Sequence, residues 1–147
     1  MDAEVPAATP SLGRGTGQPE DGRIPMIRLV ELDDSVPFPA QLQETTGPVT
    51  LMNLFVAPEG QVDTVLAVWA GAAKLMKAKP GFISTQMHRG TGNSRVLVNM
   101  AVWESSDLFR QAFASPDLQH TLSQYPDGTV VMPHVLQKVG VAGICVP

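Results

Sequence analysis

Three side chains that carry N–H donors stand in runs that are apolar but for Thr50: Asn53 in VTLMNLFV (49–56), and Asn99 and Trp103 in VLVNMAVW (96–103). Amide and indole N–H groups in a dry, apolar setting are suited to holding negative charge that develops on an oxygen. Each such donor is typically worth about 2.7–4 kcal/mol to a reaction that creates the charge. That chemistry also needs a proton acceptor near neutral pH, and histidine serves without special tuning. The candidates are His88, His120 and His134. Strict strand alternation puts His88 on one face with Phe82, Ser84 and Gln86, a more polar set than Ile83, Thr85 and Met87. On that parity His88 and Gln86 point toward the asparagines. His120 falls near Leu118 and Leu122, at the mouth of a pocket, while His134 follows a proline and reads as exposed. The expected catalytic groups are therefore His88, His120 and Trp103. Two alternatives stay open: ordinary surface histidines, and an Asn–Asn–Trp set that is simply a satisfied core network.

Other chemistries find less support. The three histidines share no metal-ligand spacing, no Cys/His cluster exists, and no metal is expected. The single cysteine, Cys145, lies in a tail without a positioned base. Glu31, Asp33 and Asp34 read as a solvated acidic run. Gly13, Gly15 and Gly17 have neither the preceding strand nor the following helix of a phosphate loop. The net charge of −4 argues against nucleic acid, whose phosphates call for a basic stripe. No apolar run approaches the roughly 18 residues that span a bilayer, and MDAEVPAATP lacks a signal peptide's basic start and apolar stretch. The expectation is a soluble, cytoplasmic protein.

The elements that would position these side chains are well marked. Residues 1–24 are rich in Pro, Gly, Ala and Thr without apolar period, which predicts a flexible tail. Residues 25–46 read as an extended arm with one short strand over 25–32. Val49–Val56 is a β-prone run stopped by Ala57-Pro58-Glu59-Gly60. Val62, Leu66, Trp69, Ala73 and Met76 then recur on one face of a helix over 62–77, which turns Trp69 toward the sheet. Phe82–His88 and Arg95–Trp103 form a hairpin around Gly90-Thr91-Gly92-Asn93. Ser105 caps a helix that restarts at Ser115-Pro116. Thr129–Val139 is a last strand that Pro133 relegates to an edge or a bulge, and 140–147 is a C-terminal tail. The order βαββαβ is that of a ferredoxin-like α+β domain over 47–139.

The central strands are apolar on both faces. Leu97, Asn99, Ala101 and Trp103 oppose Val96, Val98, Met100 and Val102, and the first domain strand divides similarly. Two helices cover one face only, so the other requires a second copy packed as a homodimer, unless residues 25–46 fold back over it.

PGFISTQMHRG, followed by VNMAVWES with Phe109 and Phe113 behind it, resembles the antibiotic biosynthesis monooxygenase family over about residues 47–139. The resemblance implies a dimeric α+β barrel that oxidises polyphenolic intermediates with molecular oxygen, often with no metal or bound prosthetic group. In its anthrone-oxidising branch an Asn and a Trp four residues later line the pocket, and Asn99 and Trp103 match that pair. A Tyr six residues after that Trp is replaced by Phe109, and the branch's downstream Arg has no match, His120 lying near its place. In the haem-degrading branch Asn53 and Trp103 match, but Leu122 stands where the iron-ligating His would fall. A third branch opens polyketide rings with reduced flavin (FADH2 or FMNH2) from a separate flavin reductase, and the N-terminal extension keeps it as an alternative. The resemblance thus implies an oxygenase of an aromatic polyketide, with Asn53, Asn99, Trp103, Phe109, Gln86 and Trp69 binding a small aromatic substrate and no tightly held cofactor. The alternative is a non-catalytic member of the fold that binds a small aromatic or serves as a partner subunit.

Overall fold

Each strand of the domain is a run of β-branched and aromatic residues that turn chemistry brings to a stop, and the computed structural model, which describes residues 27–147, follows those signals closely. The tail expected over 1–24 lies outside the described residues. Two short arm elements come first, β1 (Arg28–Leu29) and α1 (Phe38–Gln41). They are followed by β2 (Val49–Val56), α2 (Val62–Lys77), β3 (Phe82–Arg89), β4 (Val96–Trp103), α3 (Ser106–Phe113), α4 (Pro116–Leu122) and β5 (Val130–Leu136). The sheet order is β1-β5-β2-β4-β3. Strands β5, β2, β4 and β3 are antiparallel neighbours, and β1 adds parallel to β5. This is the ferredoxin-like arrangement, with β2 and β4 at the centre.

Helix α2 carries Asp63 in its first turn and Lys74 and Lys77 in its last, matching the helix dipole. It ends before Gly81, whose φ of +93° suits glycine and where a Cβ would stand 2.6 Å from that of Leu108. The Ser105 side chain accepts from Leu108 N at 3.2 Å and starts α3. The break at Ser115-Pro116 separates α3 from α4.

The arm closes an edge. Arg28 N donates to Thr129 O (2.8 Å) and Val30 N to Val131 O (2.9 Å). Further along β5 the Gln41 amide takes over, donating from Nε2 to Val135 O (2.9 Å) and accepting at Oε1 from Val135 N (2.8 Å). Val131 and Val135 both turn their backbone groups outward, so Pro133 between them places its missing N–H on the same outer side, where no neighbouring strand needs it. Ser106 ties the arm to α3, accepting from Thr46 N and donating to Glu44 O (2.9 and 2.8 Å). Phe38 enters the core with Val49, Leu51, Trp103 and Phe109. The arm therefore runs along the β5 edge to the helix side instead of folding over the opposite face.

That opposite face is open. Burial alternates along β4, with Leu97, Asn99, Ala101 and Trp103 buried under the helices and Val96, Val98, Met100 and Val102 only half-buried. His134 belongs to the open face and is half-buried, not exposed as expected. Its Nε2 lies 3.3 Å from Gln41 Nε2, while its buried Nδ1 has no partner.

Strand β3 departs from simple alternation. Phe82 pairs with Trp103, but Ser84 then pairs with Val102, leaving Ile83 as an extra residue. Such a bulge inverts the faces beyond it. Thr85 and Met87, opposite Ala101 and Asn99, lie on the helix side, and Gln86 and His88, opposite Met100 and Val98, lie on the open side.

Candidate active site

Between the helix side of the sheet and helices α2 to α4 lies a cavity of about 70 Å³ that opens to solvent. The sheet contributes Leu51, Asn53, Thr85, Asn99, Ala101 and Trp103 to its walls. Helix α2 contributes Trp69, Ala72, Ala73 and Met76, and the remaining wall includes Phe109, Phe113, Leu118, Leu122 and Tyr125. The small residues of α2 make the room, since Ala72 and Ala73 face the sheet where bulkier side chains would fill the space.

The polar groups in this apolar slot are few and specific. Asn53 and Asn99 are directly opposite on β2 and β4. Asn99 is buried and accepts at Oδ1 from the Thr85 hydroxyl, which orients the amide with its N–H₂ left for the cavity. Trp103 is 1% exposed and wedged between Phe82 (ring centroids 5.5 Å apart, edge-on) and Phe109 (5.6 Å). Its Nε1 is buried without a partner, and so is Asn53 Oδ1. An unsatisfied buried polar group costs about 1–3 kcal/mol, so two of them on one cavity wall mark a place where ligand atoms complete the bonding.

Tyr125 is the single ionisable side chain among the described residues lining the cavity. It is 2% exposed, packs on Phe55 with ring centroids 5.5 Å apart, and burial alone pushes its hydroxyl above the ordinary tyrosine value of 10.0. The hydroxyl therefore keeps its proton at neutral pH. Stability from this burial is complete below pH 10.0 and declines as pH rises toward the higher folded value, because the unfolded chain releases the proton first. Tyr125 is also the chain's sole tyrosine. Alkaline titration should show tyrosinate absorbance developing only as the fold melts, and tyrosinate in the intact fold at pH 10.0 would contradict the burial.

Five of the residues expected at the site lie in the cavity: Asn53, Asn99, Trp103, Phe109 and Trp69. Three do not. The bulge at Ile83 turns His88 and Gln86 to the open face, where His88 is exposed and its Nδ1 lies 3.2 Å from Val98 O. His120 is exposed on α4, with its Nε2 3.5 Å from Gln124 Nε2. No histidine lines the cavity, which corrects the expectation of a histidine base there. Sequence reasoning also missed Thr85, Tyr125 and Phe38, the last of which backs the wall by packing on Phe109 and Phe113 (centroids 6.4 and 5.6 Å). Leu122 lines the wall, and the described residues hold no group of three histidine, cysteine or carboxylate side chains placed to share a metal ion.

The Thr85 bond makes a testable statement about Asn99. Thr85→Val keeps the shape and removes the donor, so the amide is free to turn over. Ligand affinity should fall about tenfold, the worth of one hydrogen bond of ordinary strength, and Thr85→Ser should restore most of it. Equal affinities in all three proteins would show that Asn99 needs no such partner.

Residues 48–124 match the antibiotic biosynthesis monooxygenase family. Deoxynogalonate monooxygenase of Streptomyces nogalater is 34% identical over 68 residues, which are 46% of this chain and 57% of that protein, so the chain spans little more than half the length of this relative. The crystal structure of SnoaB, a cofactor-independent oxygenase from Streptomyces nogalater, superposes with a TM-score of 0.60 at 23% identity, over 67% of this chain and 99% of that one. A structure from Shewanella loihica PV-4 superposes with a TM-score of 0.55 at 28% identity, over 65% and 97% of the two chains. The family match covers more than half of the chain and includes β2 to α4, the segment that supplies the entire cavity except Tyr125. The chain belongs to the antibiotic biosynthesis monooxygenase family.

Proposed function

We propose that the protein is an oxygenase that takes an electron-rich polyphenolic aromatic, of the aromatic polyketide type, into this cavity and oxidises it with molecular oxygen. The observation that carries the reading is the pair of buried, unpartnered polar atoms, Asn53 Oδ1 and Trp103 Nε1, beside Asn99 in a slot otherwise lined by aromatic and aliphatic groups. The walls match a flat aromatic in chemistry, with the amides and the indole available to its oxygens.

Triplet oxygen reacts slowly with neutral closed-shell molecules and much faster with electron-rich anions. The cavity offers donors for such an anion and no histidine, carboxylate or lysine to form it. The substrate must therefore be acidic enough to ionise itself, its proton passing to water, with the Asn99 amide and Trp103 N–H holding the oxyanion. At a methylene carbon conjugated with the anion, dioxygen adds to give a peroxide. Loss of water leaves a carbonyl: CH₂ and O₂ become C=O and H₂O, and the arene is oxidised to a quinone. Ring cleavage is the other outcome open to such a peroxide. The likeness to a cofactor-independent oxygenase supports a reaction without a tightly bound cofactor.

The open sheet face supports a homodimer, and the same reading places the reaction inside each copy. No helix among the described residues is long and apolar enough to cross a membrane.

Oxygen uptake by the purified protein with a polyhydroxylated anthrone, with and without reduced flavin, tests the function. Uptake above the protein-free rate without flavin is the expected result. Uptake that requires reduced flavin would replace the cofactor-free reading with the flavin-using one. No uptake in either arm would leave a non-catalytic aromatic-binding protein and overturn the proposal.

A further inference from the structure

The cavity is smaller than any aromatic it would receive. Its volume is about 70 Å³, whereas a single benzene ring is held in a cavity of about 150 Å³. A fused polyphenolic takes more space again, so one wall must move. The sheet wall is fixed, because β2 and β4 are each bonded to a strand on both sides. Helix α2 is anchored by Val62 and Val65, which are buried in the cluster of Phe55 and Leu97. Helix α3 is tied to the arm, through Ser106 to Thr46 and Glu44 and through the Arg110 guanidinium to Leu42 O (3.1 Å). Helix α4 has no such anchor. Of its seven residues only Leu118 is buried. It rests on α2, where a Cβ added at Gly71 would stand 3.8 Å from Thr121 Cγ2. Among the described residues no hydrogen bond joins α4 to the sheet or to the arm. Its side-chain ties to the other helices are Gln119 Nε2 to Phe113 O (2.6 Å) and a partly exposed ion pair from Lys79 Nζ to both Asp117 oxygens (3.2 Å each). Extended Ser115 (ψ 141°) precedes the helix, and exposed Ser123 and Gln124 follow it. Beyond those joints the chain is fixed again, Phe113 against Phe38 and Tyr125 against Phe55.

We propose that α4 is a lid, hinged at Ser115 and at Ser123-Gln124, that lifts off α2 to admit the substrate and is latched by the Lys79–Asp117 pair. This deepens the proposed function and rests on it. Leu118 and Leu122 are the lid's contribution to the cavity wall. Opening carries both away from the sheet and makes room for a flat ring system. Closing returns them over the bound rings and keeps water from the amides and the indole, which strengthens their hold on an oxyanion. The latch is weak because its charges are partly in solvent, and a weak latch suits a lid that must open in every turnover.

The test locks the lid. Gly71→Cys and Thr121→Cys are combined with Cys145→Ser, which removes the exposed native thiol, and neither new cysteine replaces a residue that lines the cavity. Association of a dihydroxyanthraquinone is followed by quenching of tryptophan fluorescence in stopped flow. The reduced triple variant should bind like the wild type. The oxidised form should stay folded by circular dichroism and bind at least about tenfold more slowly, and reductant should restore the rate. Lys79→Gln, which leaves Asp117 free to cap α4 through its bond from Leu118 N, should speed association about two- to fivefold. Equal rates in the oxidised and reduced forms would overturn the lid alone, and an unchanged rate in Lys79→Gln would overturn the latch. Cysteines that cross-link neither directly nor through a short bismaleimide would show that α4 does not rest on α2, and the lid would fail on that ground. No binding to the wild type or to the reduced variant would overturn the reading of the cavity, and the lid with it.

Discussion

Asn99→Leu should lower kcat/KM for oxygenation of a polyhydroxylated anthrone by about a hundred- to a thousandfold, the usual effect of deleting one donor from a preorganised oxyanion site. The amide is buried in the cavity wall, faces Asn53 across the central strands, and is oriented by Thr85. Leucine fills nearly the same volume and removes the donor. The fold should tolerate the change within about 1 kcal/mol, because the loss of one hydrogen bond is offset by the burial of an apolar side chain. Trp103→Phe should give a parallel loss by removing the indole N–H, but it also thins the packing against Phe82 and Phe109, so its melting temperature should fall as well. Steady-state kinetics paired with thermal unfolding separates the roles. A structural amide predicts that stability and activity fall together, whereas an oxyanion donor predicts loss of activity alone. Retention of full activity in Asn99→Leu would remove the central element of the mechanism.

The reason this site was partly legible in the sequence lies in where the strand parity is regular. Strands β2 and β4 are paired without interruption from Val49–Trp103 to Val56–Val96, so reading every second residue correctly grouped Asn53, Asn99 and Trp103 on one face. The period of α2 likewise placed Trp69 toward them. Strand β3 defeated the same reasoning because the bulge residue, Ile83, is as strand-favouring as its neighbours and leaves no mark in the sequence. One unmarked insertion moved His88 and Gln86 to the wrong face and concealed Thr85 on the right one. Tyr125 was missed for a different reason. Followed by Pro126, Asp127 and Gly128, it reads as part of a turn, and its burial against Phe55 is a contact across seventy positions of chain that no local pattern announces. Phe38 was hidden in the same way, being an isolated aromatic in a proline-rich arm whose packing depends on Phe109 and Phe113.

Met100→Glu should convert a dimer into monomers, raising the dissociation constant by at least about a thousandfold. Met100 sits near the middle of β4 on the open face, paired with Met52 and Gln86 on the flanking strands and surrounded by Val98, Val102 and Leu54. Four strands about 4.8 Å apart and seven or eight residues long, at about 3.3 Å per residue, give a face of about 19 by 23–26 Å. Its side chains are mainly aliphatic and only half-buried in the single chain. An exposed apolar patch of this extent is unusual for a monomer. Two-fold packing of the sheets brings each copy's mutated residue to the same interface, where burying two carboxylates without partners costs several kcal/mol apiece. Light scattering at micromolar concentration should give twice the chain mass of 15.7 kDa for the wild type and the single mass for Met100→Glu. Circular dichroism distinguishes a monomer that retains its sheet from one that unfolds, and Met100→Leu, which keeps the face apolar, should remain dimeric. A wild-type protein that scatters as a monomer would show instead that the open face is stable in water, and the reading of the sheet as half of a dimer core would fail.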